Sequence, residues 1–291
     1  MKVAITGAYG MLGSDVVKAL QEHKYKVIPF PSHADLDLAE FDKVREFVFK
    51  YQPEVIVHLA ATPHPDVVEK DPVKGWRNNF DSTYNLIRVL HETGGVMCYG
   101  STDSVFSGND DKGPYNEFSI KHPLNIYGQT KYASEQIIEQ KMQKYFILRL
   151  PLLFGLGGRP ETNKLLNIIK KAKAGEKTVL QSDSWSSVCA TRDVGWAMSK
   201  IISTCKWGTY HLAGEPAVSR AGMMRYFLNQ VGFDTSLVEE TNYIDARKLA
   251  RRARYSVMTS VLLESTFGFS MPSWKIGMEK CIEELKKQGV V

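Results

Sequence analysis

An α/β fold organised on a doubly wound parallel sheet is predicted by three stretches of this 291-residue sequence. Residues 3–5, Val-Ala-Ile, form a short apolar run leading into Thr6-Gly7-Ala8-Tyr9-Gly10-Met11-Leu12-Gly13, and residues 14–20 then take up helical spacing. Residues 55–59 are a second apolar run, closed by the small Ala60 and Ala61. Residues 96–100 are a third, closed by Ser101, Thr102 and Asp103. Strand, glycine turn and helix in that order make a phosphate cradle: glycines let the backbone approach a pyrophosphate, and the helix N-terminus faces its charge. The pattern is Rossmann-type. It makes Gly7, Tyr9, Gly10, Met11, Leu12 and Gly13 the candidate dinucleotide contacts.

Past the first helix, residues 25–30 read as the second strand and run into Pro31, Ser32 and His33. A site selective for NAD usually carries an acid at this strand end to hold the ribose 2′-hydroxyl, and none stands here. The omission favours NADP(H) over NAD(H), with Ser32 and His33 either phosphate donors or members of a polar loop. Residues 40–51 space Phe41, Val44, Val48 and Tyr51 along one helical face, and Gln52-Pro53 stops the helix. The third strand, residues 54–61, ends in small side chains that leave room for a cofactor, so Leu59, Ala60 and Ala61 are expected against it. His58 reads as a packed or hydrogen-bonded histidine rather than a catalyst. Residues 76–86 read as a helix, and the next strand presents Thr102 where an open parallel sheet meets its ligand.

The chemistry concentrates in residues 123–131, Pro-Leu-Asn-Ile-Tyr-Gly-Gln-Thr-Lys. A helix here sets Tyr127 and Lys131 one turn apart on one face. A free phenol of pKa ~10 is a poor acid or base at neutral pH, and a neighbouring ammonium brings it toward the working range. Thr102 adds a hydroxyl to orient a carbonyl oxygen. By itself the Tyr-x-x-x-Lys spacing fits an amphipathic helix with a solvated lysine. The glycine turn upstream turns the reading toward a catalytic set of Thr102, Tyr127 and Lys131, the last two also touching the cofactor.

Together the glycine turn at 7–13, His58-Leu59-Ala60-Ala61 closing a strand, and the Tyr127/Lys131 pair resemble the extended short-chain dehydrogenase/reductases. Within them, residues 101–108 (Ser-Thr-Asp-Ser-Val-Phe-Ser-Gly) and 123–128 are similar to the dTDP-4-dehydrorhamnose reductase group. The resemblance implies an oxidoreductase of the dTDP-rhamnose biosynthesis type, reducing a nucleotide-activated keto sugar with NADP(H) or NAD(H). It places Asp37 and Leu38 near the adenine, gives Asn79 the task of holding backbone or water near the lysine, and puts Asp103, Ser104 and Arg252 on the substrate side.

Related 4,6-dehydratases carry Thr-Asp-Glu where this chain has Thr102-Asp103-Ser104, so the second acid used for water elimination is missing. The chain also departs from the reductase pattern twice. Ser104 replaces a tyrosine, and Arg149-Leu150-Pro151-Leu152 lacks the tryptophan of the family's Arg-x-x-Trp. The form of residues 149–155 instead resembles the methionine adenosyltransferase regulatory β-subunit branch, which implies a non-catalytic NADP-binding subunit as the alternative, beside a sugar-nucleotide epimerase.

Gly157-Gly158-Arg159-Pro160 marks a break. A cofactor domain is expected over residues 1–156 and a substrate lobe over 157–291 that partly returns to it. Ser219 reads as the N-cap of a helix over 220–231, and Ile276, Met278, Ile282 and Leu285 as core positions of a terminal helix. Arg247, Lys248, Arg251, Arg252 and Arg254 form a basic cluster, either a solvated face or a phosphate site.

At 43% hydrophobic content the chain can bury a large and a smaller core. Without a run of eighteen apolar residues or a leader-like start, no membrane contact is expected and the cytoplasm is the expected compartment. Cys98, Cys189, Cys205 and Cys281 lack Cys-x-x-Cys spacing and read as reduced thiols packed as small hydrophobes. The seven histidines show no paired-ligand spacing, so no metal is expected, and a net charge of +5 is too mild to suggest nucleic acid. The expected partner is a small-molecule nucleotide sugar, and the expected assembly a homodimer.

Overall fold

Six strands form the main sheet of the computed structural model, which describes residues 1–108, 114–243 and 249–291; Arg247 and Lys248 of the basic cluster lie outside the described residues. The strands are β1 (Lys2–Thr6), β2 (Lys26–Pro29), β3 (Val55–His58), β4 (Val96–Thr102), β5 (Tyr145–Leu150) and β6 (Gly208–His211). Their order is β6-β5-β4-β3-β1-β2, and every neighbouring pair is parallel. Parallel strands need crossovers that cover both faces, so neither side of the sheet is left to water. Successive side chains therefore enter two different cores. Val3, Ile5, Val55, Val57, Phe146 and Leu148 face one. Ala4, Ile56, Met97, Tyr99 and Ile147 face the other. This is why these strands read as unbroken apolar runs rather than as alternating patterns.

Helices close both faces. α1 (Met11–Glu22) and, from the C-terminal half, α5 (Thr191–Ile201) cover the first with Val16, Leu20, Val194 and Met198. α2 (Phe41–Tyr51), α3 (Ser82–Thr93) and α4 (Ile126–Lys141) cover the second with Val44, Val48, Leu86, Leu90 and Ile138. The order of strands reverses between β1 and β3, whose carboxyl ends part to leave a crevice, and the same open edge carries Thr102 at the end of β4. The helix expected over residues 76–86 is interrupted: Pro72–Trp76 joins α3 through a π turn, Arg77–Asp81, within which Asn79 is buried. Such turns are frequent at functional sites.

A separate core of Phe154, Leu165, Ile168, Phe227, Val238 and Trp274 lies in the C-terminal half. Short parallel pairs frame it, Leu152–Phe154 with Val188–Ala190 and Thr178–Gln181 with Val238–Thr241. Ser219 caps the helix Arg220–Gln230 by accepting from the Gly222 amide at 3.1 Å.

Two expectations fail here. On α6 (Trp274–Lys287), Met278, Ile282 and Leu285 are buried but Ile276 is 46% exposed, because it lies about 160° around the helix from Met278. Cys98, Cys189 and Cys281 are packed, whereas Cys205 is exposed on a turn at φ +54°, where no core reaches it. Among the described residues, no helix is long and apolar enough to cross a membrane, and no group of three His, Cys, Asp or Glu side chains could hold a metal ion.

Candidate active site

At the end of β1 the buried Thr6 ties the crevice together. Its hydroxyl oxygen accepts from the amides of Leu59 and Ala60, each at 3.1 Å, and donates its proton to His58 Nδ1 at 2.7 Å. His58 Nε2 then donates to Thr83, whose own hydroxyl donates to the Asn79 carbonyl. Burial, with Lys131 adding to it, pulls the His58 pKa down to about 3, so the ring is a neutral bridge between β3 and α3.

Gly7, at φ +69°, lets the chain turn beside β3, since a Cβ there would sit 2.9 Å from the Ala60 nitrogen. The Gly10 amide closes the turn on the Gly7 carbonyl at 3.0 Å. α1 begins at Met11 with no side-chain cap and no acid in its first turn, which leaves its first amides to an anion. A cavity of about 640 Å³ lies over this turn, lined by Gly7, Tyr9, Gly10, Met11, Leu38, Ala60 and Ala61. Ser32 and His33 line it too, as does Arg159 from the other half of the chain.

Seven expected cofactor contacts are not among the lining residues of this cavity: Leu12, Gly13, Asp37, Leu59, Asn79, Tyr127 and Lys131. Leu12 and Leu59 turn into the core. Gly13 serves the turn, because a Cβ on it would run into the Gly7 carbonyl. Burial opposes charge on Asp37, but the Ala39 amide, the Arg77 guanidinium and His33 outweigh it and hold the carboxyl below its usual range. Of those partners, His33 itself lines the cavity. Asn79 supports the wall from behind, accepting from the Thr62 amide at 2.7 Å and donating to the Thr130 hydroxyl at 3.0 Å.

α4 starts at Asn125, whose side chain accepts from the Gly128 amide at 2.9 Å and donates to the Arg251 carbonyl at 2.7 Å. It delivers Tyr127 to a second cavity of about 480 Å³ that also holds Thr102, Asp103, Ser104, Leu152 and Arg252. The two cavities share Met11, Pro63, Thr162 and Asn163. Burial pushes the Tyr127 phenol up to about 12; the Thr102 hydroxyl beside it opposes this and the charge of Asp103 adds to it.

That direction reverses the lowering expected from a neighbouring ammonium. Lys131 is buried beneath the cleft, its Nζ donating to the Gly100 carbonyl at 2.7 Å and lying 4.0 Å from the Tyr99 ring centroid. Burial pulls its pKa down to about 7, against the pull of Glu135. The i,i+4 spacing fixes where the two side chains leave the helix. The reach of a lysine decides where its charge goes.

Two residues that the sequence reading missed complete the second cavity. Lys164 and Arg220 line it with Arg252, and each is the first residue of its helix, behind the caps Asn163 and Ser219. A cation in the first helical turn opposes the macrodipole, so two such placements converging on one cavity were the available signal. Burial, then the other cations, lowers the pKa of both Arg220 and Lys164; Asp103 partly compensates Arg220. Burial raises the Asp103 carboxyl despite hydrogen bonds with Ser256, Thr102 and Ser104 and the charge of Arg220. Arg252 pairs with Asp66 at 2.8 Å.

A glycine turn at the switch point of a parallel sheet, a tyrosine–lysine helix and a threonine closing β4 define an extended short-chain dehydrogenase/reductase fold. The family model described as the RmlD substrate binding domain matches residues 1–287, and the chain belongs to that family. Over 97% of its length, at 30% identity and a TM-score of 0.90, it is similar to the crystal structure of dTDP-4-dehydrorhamnose reductase from Bacillus anthracis in complex with NADP, 99% of which is covered. It is 30% identical over 235 residues to methionine adenosyltransferase 2 subunit beta of Bos taurus, spanning 76% of this chain and 70% of that one. It is also 27% identical over 283 residues to the spore coat polysaccharide biosynthesis protein SpsK of Bacillus subtilis, spanning 97% of each.

Proposed function

We propose that this chain is an NAD(P)H-dependent reductase of a nucleotide-activated keto sugar, similar to the dTDP-4-dehydrorhamnose reductases, with NADP(H) preferred. The observation that carries the reading is the wall shared by the glycine-turn cavity and the Tyr127 cavity, which brings a dinucleotide and a second ligand edge to edge. Glycine positions that a Cβ would fill and an uncapped helix N-terminus support the fit to a dinucleotide. A bound nicotinamide supplies the hydride for the carbonyl carbon. Tyr127, kept protonated by its raised pKa, gives its phenol proton to the carbonyl oxygen as charge develops there. Thr102 holds that oxygen by its hydroxyl, and Lys131 turns its ammonium to the nicotinamide ribose.

Lys164, Arg220 and Arg252 grip the diphosphate, where guanidinium forks match phosphate oxygens, and Asp103 and Ser104 face the sugar. In this reading residues 1–156 serve the cofactor and 157–291 the substrate, with α5 and β6 returning to the large core. A homodimer in the cytoplasm is part of the proposal, and light scattering tests the dimer. The decisive assay offers the purified protein a set of nucleotide keto sugars and follows loss of NADPH absorbance. Turnover with none of them overturns the reading.

Ser104 and Leu152, standing where the reductase pattern has aromatic rings, together with the likeness to the adenosyltransferase subunit, favour one second reading. A regulatory subunit would bind NADPH, oxidise none of it with any keto sugar, and co-purify with an enzyme.

A further inference from the structure

Lys131 and Tyr99 come from different elements, α4 and β4, and meet in the interior, the lysine 4% and the tyrosine 0% exposed. A buried ammonium has three N–H donors to satisfy. Among the described residues, one goes to the Gly100 carbonyl at 2.7 Å. The acid one turn along α4, Glu135, is taken by Arg149, which donates to its two oxygens at 3.0 and 2.8 Å, and by the Ser101 hydroxyl. Tyr127, one turn earlier, has its phenol beside Thr102. His58 on β3 is neutral, with its ring nitrogens committed to Thr6 and Thr83.

What remains is the face of the Tyr99 ring, 4.0 Å from Nζ. The Tyr99 hydroxyl lies beside Ser134 and Thr83 without a hydrogen bond of regular geometry, so the site uses the ring and not the oxygen.

We propose that Tyr99 is a positioning residue for the active-site lysine: the negative face of its ring, with the Gly100 carbonyl, holds Lys131 charged in a station beneath the cleft, from which the ammonium swings to a bound ligand. An aromatic face suits a station better than a carboxylate would. It stabilises a desolvated cation, yet it leaves no buried anion unpaired when the lysine departs. Burial has already brought the Lys131 pKa down to about 7, so at neutral pH the ring helps to decide whether the group is charged. The swing rests on the reading of Lys131 given above; the station does not.

The test follows the ¹³Cε resonance of Lys131 against pH, assigned by its loss in Lys131→Arg. It compares the unmodified protein, Tyr99→Phe, Tyr99→Leu, and protein carrying pentafluorophenylalanine at position 99. The fluorinated ring keeps the shape and inverts the charge of the face. Tyr99→Phe should titrate within about 0.3 pH unit of the unmodified protein, while Leu and the fluorinated ring should titrate about one unit lower. An unshifted midpoint in the fluorinated protein overturns the proposal even if Tyr99→Leu fails to fold, and so does a Phe variant displaced as far as Leu. NADPH affinity, measured by fluorescence in the same proteins, should weaken on the alkaline side about one unit earlier for Leu and the fluorinated ring. Failure to bind NADPH at all would reject the cofactor reading while the ¹³C titration still judges the station.

Discussion

The two cavities that meet at Met11 and Pro63 are built by different means. The glycine-turn cavity is floored by backbone at two neighbouring strand ends, with positive φ at Gly7, close approach to Ala60 and the bare amides of α1, and Ser32, His33 and Arg159 add side chains to its walls. The Tyr127 cavity is made of side chains delivered from far apart in the chain, Thr102 from β4, Tyr127 from α4, and Lys164, Arg220 and Arg252 from the C-terminal half. A backbone cradle recognises what many ligands have in common, a pyrophosphate. Side chains from scattered segments set which particular molecule lies beside it. The first region tolerates little change in shape, since a Cβ on Gly7 or Gly13 would meet backbone atoms.

The comparison breaks most sharply at Tyr127. Tyr127→Phe should lower NADPH oxidation at least ~100-fold while dinucleotide affinity, followed by fluorescence, stays within about threefold. Equal loss of both would mean that the cavities are not separable. Gly13→Leu attacks the other side: its Cβ would meet the Gly7 carbonyl, so the turn must move. Dinucleotide binding should be lost and unfolding free energy by denaturant titration should drop by about 2–3 kcal/mol. Arg220→Gln sharpens the division, raising KM for the nucleotide sugar about tenfold with kcat changed less than about threefold. A rise in KM for NADPH instead would place Arg220 on the wrong side of the shared wall.

The smallest effect comes from two buried histidines, one behind the glycine turn and one outside both cavities. His58 braces the glycine-turn cavity with its pKa pulled down to about 3. His211 is pulled down to about 4 by burial, even though Glu117 works the other way; its Nδ1 donates to the Thr259 carbonyl and its Nε2 accepts from Arg149. An unfolded histidine gains its proton near pH ~6.5, whereas these two remain neutral in the fold. The unfolded chain therefore binds more protons between about pH 6.5 and 4, and stability falls as pH falls through that window. Calorimetry should show Tm dropping by several degrees, roughly 5 °C or more, from pH 7 to 5. A flat Tm would mean that the rings are not held neutral.

The cradle could be read in advance because its causes are local. Unbroken apolar runs announce strands covered on both faces, and Gly10 and Gly13 are demanded by the Gly7 carbonyl of the same turn. The side chains of Leu12, Leu59 and Asp37 could not be placed in this way, for a related reason. Proximity in the motif does not say on which side of the backbone a side chain emerges, nor that Arg77 holds the Asp37 carboxylate. Lys164 and Arg220 lie 56 positions apart, and only the cationic start of each helix hinted at them.

Sequence alone therefore determined the sheet, the glycine turn and the identity of the tyrosine–lysine helix, since strand period, glycine conformation and helix spacing are properties of neighbouring residues. Tertiary structure decided the charges. It raised the Tyr127 phenol, parked Lys131 on Gly100 and Tyr99, and gathered three cations around one cavity. Desolvation and Coulomb energies depend on what surrounds a group in space, and those surroundings exist only once distant segments have packed together.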